Sequence, residues 1–344
     1  MACGVRLRTF GYWSLHPCSI EWIEATLVRL ILWRNEPMKC PFFNRLDSLA
    51  VVPLLFGVAC TTSPRRSIPE AWNNRVAYYA FDATPVGQEK LSLTDFSDKA
   101  NIIVLFEGNI FELADPEHYG KDDAYILSIS DGPYTRYEQI IADIHTLQAR
   151  SILVLMNVDD TQSWQTEIPF TDYAGEGKTY EEYAALVYEM AQKVPFDGIA
   201  LDVEHFSGPA NQNFINLVRE FGKYFGPKSI NPDSTIYTAA IYSGAAAGNA
   251  IGKNLETAAY FNFVEDMGYF QNNQTRFNQY ADIIGAGKVM NGMVLDYNSL
   301  ESVLAHCAWE PQETPKAGIM VFAGNVNKNY TDTIFDAVGN TKEQ

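Results

Sequence analysis

Residues 196–205 read FDGIALDVEH, and the alternation of side-chain types along them is the strongest indication of the fold. Side chains along a β-strand point alternately to its two faces. One face here is wholly apolar and suits packing beneath helices: Ile199, Leu201 and Val203. The other face begins with a small residue and ends with two carboxylates: Ala200, Asp202 and Glu204. This pattern predicts an inner strand of a parallel barrel whose functional groups lie at its C-terminal mouth.

Similar apolar runs recur along the chain and alternate with amphipathic helical stretches. With the first stretch they predict eight strands, at 75–81, 101–106, 151–157, 198–204, 235–241, 261–267, 288–295 and 318–322. Eight β/α units between residues 73 and 344 match a (β/α)8 TIM barrel of the α/β class, which typically uses about 250 residues. An open doubly wound sheet is disfavoured, because no glycine-rich phosphate loop follows the first strand.

Two of the intervening helices carry clear boundary signals. Thr179 and Glu182 form a capping-box pattern that predicts a helix start. A second helix presents four apolar side chains on one face: Phe214, Leu217, Val218 and Phe221. Gly226 and the proline after it are expected to end that helix.

Composition limits the possible functions. The chain has 344 residues, 47% of them hydrophobic, and a formal net charge of −17. Up to Arg66, eight basic and four acidic residues give +4, so the rest of the chain carries −21. Such an acidic body repels phosphate backbones and argues against a nucleic-acid partner.

The first sixty residues resemble targeting sequence of a Bacteroidetes-type lipoprotein. Met38 precedes a short basic region and an apolar run that ends at Cys60, the order of a signal peptide. We expect residues 1–37 to lie upstream of the true start, 38–60 to be the signal and 61–72 a linker. Cys60 would be lipidated and anchor an exported monomer to the cell envelope; an uncleaved anchor is the alternative. Only Cys307 would then remain as a thiol, so no internal disulfide is expected.

The acidic strand resembles the fourth strand of glycoside hydrolase family 18, which contains chitinases and endo-β-N-acetylglucosaminidases. The match comprises Asp197-Gly198, Asp202 and Glu204, and it departs at Ala200, where the family usually has an aspartate. The resemblance implies that Glu204 is the acid/base and that Asp202 orients the 2-acetamido group of the substrate. That group would itself attack the anomeric carbon, so configuration would be retained.

The resemblance extends to weaker positions. Met267-Gly268-Tyr269 is similar to the family's Met-x-Tyr, in which the tyrosine hydroxyl holds the acetamido oxygen. The resemblance therefore implies a catalytic role for Tyr269. Further substrate contacts are expected from six residues: Asp197, Met267, Glu265, Phe322, Trp164 and Tyr78. Several of these have alternative roles, since Glu265 could be a loop-end acid, Trp164 a rim anchor and Tyr78 a core residue.

The sequence predicts hydrolysis of β-1,4 bonds beside N-acetylglucosamine, with a glycan or glycoprotein as the partner. An endo-β-N-acetylglucosaminidase acting on N-glycans is preferred. The alternatives are a chitinase and a catalytically silent glycan-binding protein on the same barrel. The histidines lack metal-ligand spacing, and no P-loop or Ser-His-Asp pattern occurs, so neither a metal nor a cofactor is expected.

Overall fold

The computed structural model describes residues 73–340 with nine internal gaps. The gaps are 88, 97, 107–109, 120–131, 160–176, 205–210, 231–234, 243–253 and 270–273. Predictions for Cys60, for Trp164 and for the segments before residue 73 therefore lie outside the described residues. Within the described part, no helix is long and apolar enough to cross a membrane.

Eight parallel strands form a closed barrel in sequence order. They are β1 Asn74–Ala80, β2 Ile102–Phe106, β3 Leu153–Asp159, β4 Gly198–Val203, β5 Ile236–Ile241, β6 Phe263–Asp266, β7 Val289–Met293 and β8 Gly318–Val321. Each begins and ends within two residues of its predicted position. The predicted (β/α)8 fold is confirmed.

Helices connect the successive strands around the barrel. Their bounds are Leu93–Phe96, Ile110–Ala114, Pro116–Tyr119, Tyr137–Ala149, Tyr180–Lys193, Gln212–Phe221, Leu255–Ala258, Gln274–Ile284, Leu300–Ala308 and Lys328–Asn340. Short 3₁₀ turns cover Ala286–Lys288 and Gly324–Val326. The helices cover the outer face of the strands.

The two helix signals are confirmed, and one helix end is not. Thr179 caps the helix Tyr180–Lys193, and its backbone N–H donates to Glu182 Oε2 at 2.9 Å, which completes the capping box. The helix Gln212–Phe221 buries the four predicted apolar side chains. Its regular part ends at Phe221, helical turns continue to Phe225, whose N–H donates to Phe221 O at 3.0 Å, and Gly226 then turns the chain away with φ at +77°.

Apolar side chains fill two separate layers. The outer layer lies between strands and helices and includes Ile199, Leu201 and Val203. The inner layer fills the barrel and includes Ala200. The predicted alternation along β4 is therefore confirmed.

The same kind of side-chain-to-backbone hydrogen bond recurs at the N-terminal rim of the barrel. The residue just before an even-numbered strand accepts a backbone N–H from the second residue of the preceding strand. The pairs are Asn101 Oδ1 with Arg75 at 2.8 Å, Asp197 Oδ2 with Val154 at 2.9 Å and Asn262 Oδ1 with Tyr237 at 2.9 Å. These bonds satisfy donors where the hydrogen-bond ladder of each strand pair begins.

Asp197 therefore has a structural role, and the prediction that it contacts substrate is wrong. It lies at the N-terminal end of β4, opposite the mouth, where Gln148 Nε2 also donates to it at 3.0 Å. Gly198 follows with φ at +155°, and a Cβ there would collide with the backbone of Ile236. Only glycine fits this close approach. The Asp-Gly pair thus sets the entry of β4 into the barrel.

Candidate active site

The C-terminal mouth of the barrel presents the two predicted catalytic acids. Asp202 is the fifth residue of β4 and is only 8% exposed. Glu204 follows the strand directly and is exposed. Strand alternation places both on the inward side, one at the floor of the mouth and one at its edge. The structure thus brings this pair together where barrels of this class carry their active sites.

The register of the strands assigns the inward side chains to layers. In this fold each layer takes four side chains from alternate strands, because every strand is displaced along the axis relative to its neighbour. The even-numbered strands give a layer at the mouth that comprises Phe106, Asp202, Met267 and Phe322. The layer beneath it comprises Val104, Ala200, Glu265 and Met320. Met267 and Phe322, both predicted substrate contacts, therefore share a layer with Asp202.

Tyr269 lies just beyond β6, with its ring partly exposed and its hydroxyl buried. No residue in the described part of the chain hydrogen-bonds that hydroxyl. Burial, and then the negative charges of Asp202, Glu265 and Glu204, raise the pKa of Tyr269 well above its usual value. The hydroxyl therefore stays protonated near the acid pair and retains a free donor.

Room for the Tyr269 ring comes from a glycine on the neighbouring strand. A Cβ at Gly292 would lie 2.9 Å from Tyr269 Cε1 and 2.7 Å from Met320 Cε. Real Cβ contacts do not come so close, so a side chain at 292 would displace the ring. Sequence reasoning missed this residue, although a glycine inside a strand signals a close approach.

Aromatic rings line the mouth and the layer below. The Phe322 centroid lies 5.1 Å from that of Phe106, 5.9 Å from that of Tyr269 and 6.1 Å from that of Tyr78. Phe106, Tyr269 and Phe322 remain partly exposed, whereas Tyr78 is buried. The first three rings offer an apolar surface for a sugar face. The prediction that Tyr78 contacts substrate is contradicted, and its alternative role as a core residue is confirmed.

Glu265 lies beneath the mouth, in the layer of Ala200. Its side chain is completely buried, and it accepts hydrogen bonds from the Tyr78 hydroxyl at 2.5 Å and from Thr238 Oγ1 at 3.0 Å. Burial raises the pKa of Glu265 to about 7, although both hydrogen bonds act to lower it. The predicted sugar contact is contradicted, because no atom of this carboxyl reaches the surface.

The next acid along β6, Asp266, faces outward to the helix Gln274–Ile284. Arg276 Nη2 donates to Asp266 Oδ1 at 2.8 Å, and Arg276 Nε donates to the other oxygen. The Gly268 N–H donates to Asp266 Oδ1 at 3.3 Å. Gly268 is required here, because a Cβ would overlap the Arg276 guanidinium. This buried ion pair fixes the backbone that leads to Tyr269, and no motif in the sequence indicated a role for Arg276.

Among the residues that the structure describes, no group of three histidine, cysteine or acidic side chains could hold an ion.

A closed (β/α)8 barrel with an Asp-x-Glu pair at the end of its fourth strand places this chain in the class of glycoside hydrolase family 18 barrels. The family described as the endo-β-N-acetylglucosaminidase EndoS TIM-barrel domain matches residues 135–321, more than half of the chain. The chain belongs to this family.

Solved structures share the fold at low sequence identity. An endo-β-N-acetylglucosaminidase from Cordyceps militaris matches at 16% identity and TM-score 0.52, over 77% of this chain and 90% of that one. A chitinase from Chromobacterium violaceum matches at 12% identity and TM-score 0.51, over 78% and 99%. YKL-39, solved with chitooligosaccharides, matches at 9% identity and TM-score 0.54, over 78% and 100%. At these identities the likeness shows a common fold.

Proposed function

We propose that this protein is a retaining glycosidase that cleaves β-1,4 bonds beside N-acetylglucosamine by substrate-assisted catalysis. The observation that carries the proposal is the convergence of three groups at the mouth. Exposed Glu204, nearly buried Asp202 and the unbonded hydroxyl of Tyr269 lie close enough for both acids to raise the pKa of that tyrosine. An acid, a carboxylate and a hydrogen-bond donor are the groups that this reaction needs.

In the first step Glu204 donates its proton to the glycosidic oxygen, and the bond between that oxygen and the anomeric carbon breaks. The carbonyl oxygen of the substrate's own acetamido group forms a bond to the anomeric carbon and gives a cyclic oxazolinium ion. Asp202 accepts the amide N–H, whose positive charge grows as the ring forms, and Tyr269 donates to the acetamido oxygen. No protein nucleophile is required, which departs from the usual two-carboxylate scheme.

In the second step the Glu204 carboxylate takes a proton from water, and the water oxygen attacks the anomeric carbon. The bond from the acetamido oxygen to that carbon breaks, which restores the acetamido group and Asp202. Two displacements at one carbon give net retention of configuration. Glu204 thus serves as acid and then as base at a single position.

An N-glycan core is the preferred substrate. The matching family is named for an endo-β-N-acetylglucosaminidase. The Cordyceps militaris enzyme was solved with fucosyl-N-acetylglucosamine-Asn in a variant altered at an aspartate and a glutamate two residues apart, the spacing of Asp202 and Glu204. The seventh β/α unit is also short, with a single helix, Leu300–Ala308, between β7 and β8. It leaves little room for an inserted domain that would extend a groove for chitin.

To test the proposal, the purified protein is incubated with a high-mannose glycoprotein, a complex-type glycoprotein and chitin oligomers. The masses of the products are then measured by mass spectrometry. We expect release of a glycan that leaves one N-acetylglucosamine on the protein. Glu204→Gln is the matched control, since it keeps the shape of the site. Cleavage of chitin oligomers alone would make the protein a chitinase. Binding without cleavage of any substrate would make it a glycan-binding protein.

A further inference from the structure

Glu265 has a buried carboxyl group that takes no part in the reaction proposed above. It is completely buried, and each of its oxygens accepts a hydroxyl hydrogen bond inside the barrel. Burying an ionisable group in an apolar interior is costly unless its interactions compensate, which makes such a group a candidate for a functional role. Its position relative to the acid pair gives its role.

The register places Glu265 directly beside residue 200. Ala200 pairs with Thr238, and Thr238 pairs with Phe263 on β6. Strand tilt makes the β6 residue two places further on, Glu265, level with Ala200. Ala200 contributes only a methyl group to the layer that it shares with Glu265. The carboxyl of Glu265 therefore lies one layer below Asp202, next to the position where β4 itself carries no acid.

The interior around Glu265 contains few charges. The titratable groups that interact with it are Tyr78 from β1 and Tyr269 from the end of β6, and Asp202 and Glu204 lie above it toward the mouth. The remaining strands add one charged inward residue, Asp159 at the mouth end of β3, which pairs with Asp202 in the register. Tyr78 connects the two acids, because it donates to Glu265 and lies close enough to Asp202 for that charge to raise its pKa.

We propose that Glu265 is a positioning residue that shares one proton with Asp202. Two carboxyls so placed, without a cation between them, do not both ionise readily, and they titrate as a coupled pair. When the amide N–H of the substrate binds ionised Asp202, the shared proton resides on Glu265. When the site is empty the proton can return to Asp202. The ability of Glu265 to titrate near neutral pH, where burial has moved its pKa, suits this task. The catalytic part of this inference rests on the proposed function; the coupling does not.

The coupling is tested first without turnover, by infrared difference spectroscopy of the carboxyl band of the full-length protein across pH. We expect the wild type to show a carboxyl that titrates near neutral pH and that is absent in Glu265→Gln. In Asp202→Asn the same carboxyl should titrate about one pH unit lower, because the like charge has gone. A Glu265 carboxyl whose titration is the same in Asp202→Asn and in the wild type would overturn the proposal, whether or not the protein cleaves any glycan.

The second test is the pH profile of turnover on a high-mannose glycopeptide. Glu265→Gln should move the acidic limb of kcat/KM, which reports the free enzyme, about one unit lower, with KM at the optimum within about twofold of the wild type. Ala200→Asp added to that variant should move the limb back, because it returns a carboxyl to the same layer. Profiles that superimpose, or a limb that the added aspartate does not move, would refute the kinetic role.

Two further variants separate this role from mere folding. Glu112→Gln is the matched control, because Glu112 is a buried carboxyl that accepts from the Tyr137 hydroxyl at 3.2 Å outside the barrel interior. It should leave the limb unmoved. If Glu265→Gln does not fold, Tyr78→Phe removes only the hydroxyl that lowers the pKa of Glu265. The limb should then move in the same direction, and an unchanged limb counts against the proposal.

Discussion

The ion pair between Arg276 and Asp266 offers the sharpest test of how the structure supports the site. Arg276→Met would remove both guanidinium hydrogen bonds and leave the Asp266 carboxylate 1% exposed. The donors that remain are weak, the Gly268 N–H at 3.3 Å and the Tyr280 hydroxyl at 3.4 Å. The variant therefore leaves a buried charge largely uncompensated.

The magnitude follows from the burial of both partners, since the side chain of Arg276 is only 8% exposed. Removing one partner of a buried ion pair costs about 3–5 kcal/mol. The two remaining donors to Asp266 keep the expected loss near the lower end, about 3 kcal/mol. For a domain of this size that corresponds to a fall in Tm of roughly 6–12 °C.

The assay is a double-mutant cycle by urea unfolding, with Arg276→Met, Asp266→Asn and the double variant. We expect a coupling energy of at least about 1.5 kcal/mol, because the two groups are in direct contact. Lys193→Met is the control: its partner Glu189 lies 3.4 Å away at an exposed i,i+4 position, where a pair contributes less than about 1 kcal/mol. Turnover of Arg276→Met should also fall, since Gly268 leads directly to Tyr269. An Arg276→Met protein as stable as the Lys193→Met control would refute the reasoning.

Four further predictions concern the acid, the buried carboxyl and the N-terminus. Glu204→Gln should lower kcat at least about 100-fold with an unchanged unfolding transition, since an amide cannot donate the proton; near wild-type turnover would exclude Glu204 as the acid. Burial raises the pKa of Glu265 from 4.5 to about 7, so the folded protein holds a proton that the unfolded chain has released, and stability falls as pH rises through that window. Urea unfolding should show Glu265→Gln gaining about 3 kcal/mol on the wild type between about pH 4.5 and about pH 8; parallel curves would contradict the burial argument. We further propose that the protein is exported and lipid-anchored: Cys60→Ala should abolish incorporation of labelled palmitate in bacterial cells, and undiminished labelling would place the lipid elsewhere. A chain shortened to begin at Ser67 should stay monodisperse without reductant in size-exclusion chromatography, since the thiol of Cys307 is buried, and aggregation would show that the barrel needs the preceding residues.

The strands and their inward and outward faces were predictable because both signals are local. Alternation of apolar and other residues along 198–203 sets which side chains face the helices, whatever the neighbouring strands contain. The capping box at Thr179 is likewise a contact between residues three apart. The end of the helix Gln212–Phe221 was predicted less well, because the regular helix stops at Phe221 and only looser turns reach the left-handed Gly226.

The candidate site divides in the same way. Asp202, Glu204 and Tyr269 follow from a motif and from the rule that barrel sites lie at the carboxyl ends of strands. The roles of Asp197 and Tyr78 were misjudged, because a motif gives spacing and residue type but not the end of the strand or the depth in the barrel. Asp197 proved to secure the N-terminal rim.

The barrel, the strand that carries the acids and the direction in which those acids point were all predictable, because each depends on periodicity within a few residues. Which acids share an environment depends on contacts between strands that are distant in sequence. Glu265 and Asp266 are adjacent in sequence, yet one enters the barrel interior beside Ala200 and the other pairs with Arg276 beneath a helix. Strand tilt and barrel closure bring β4 and β6 to the same level, and that registration exists only once all eight strands have closed.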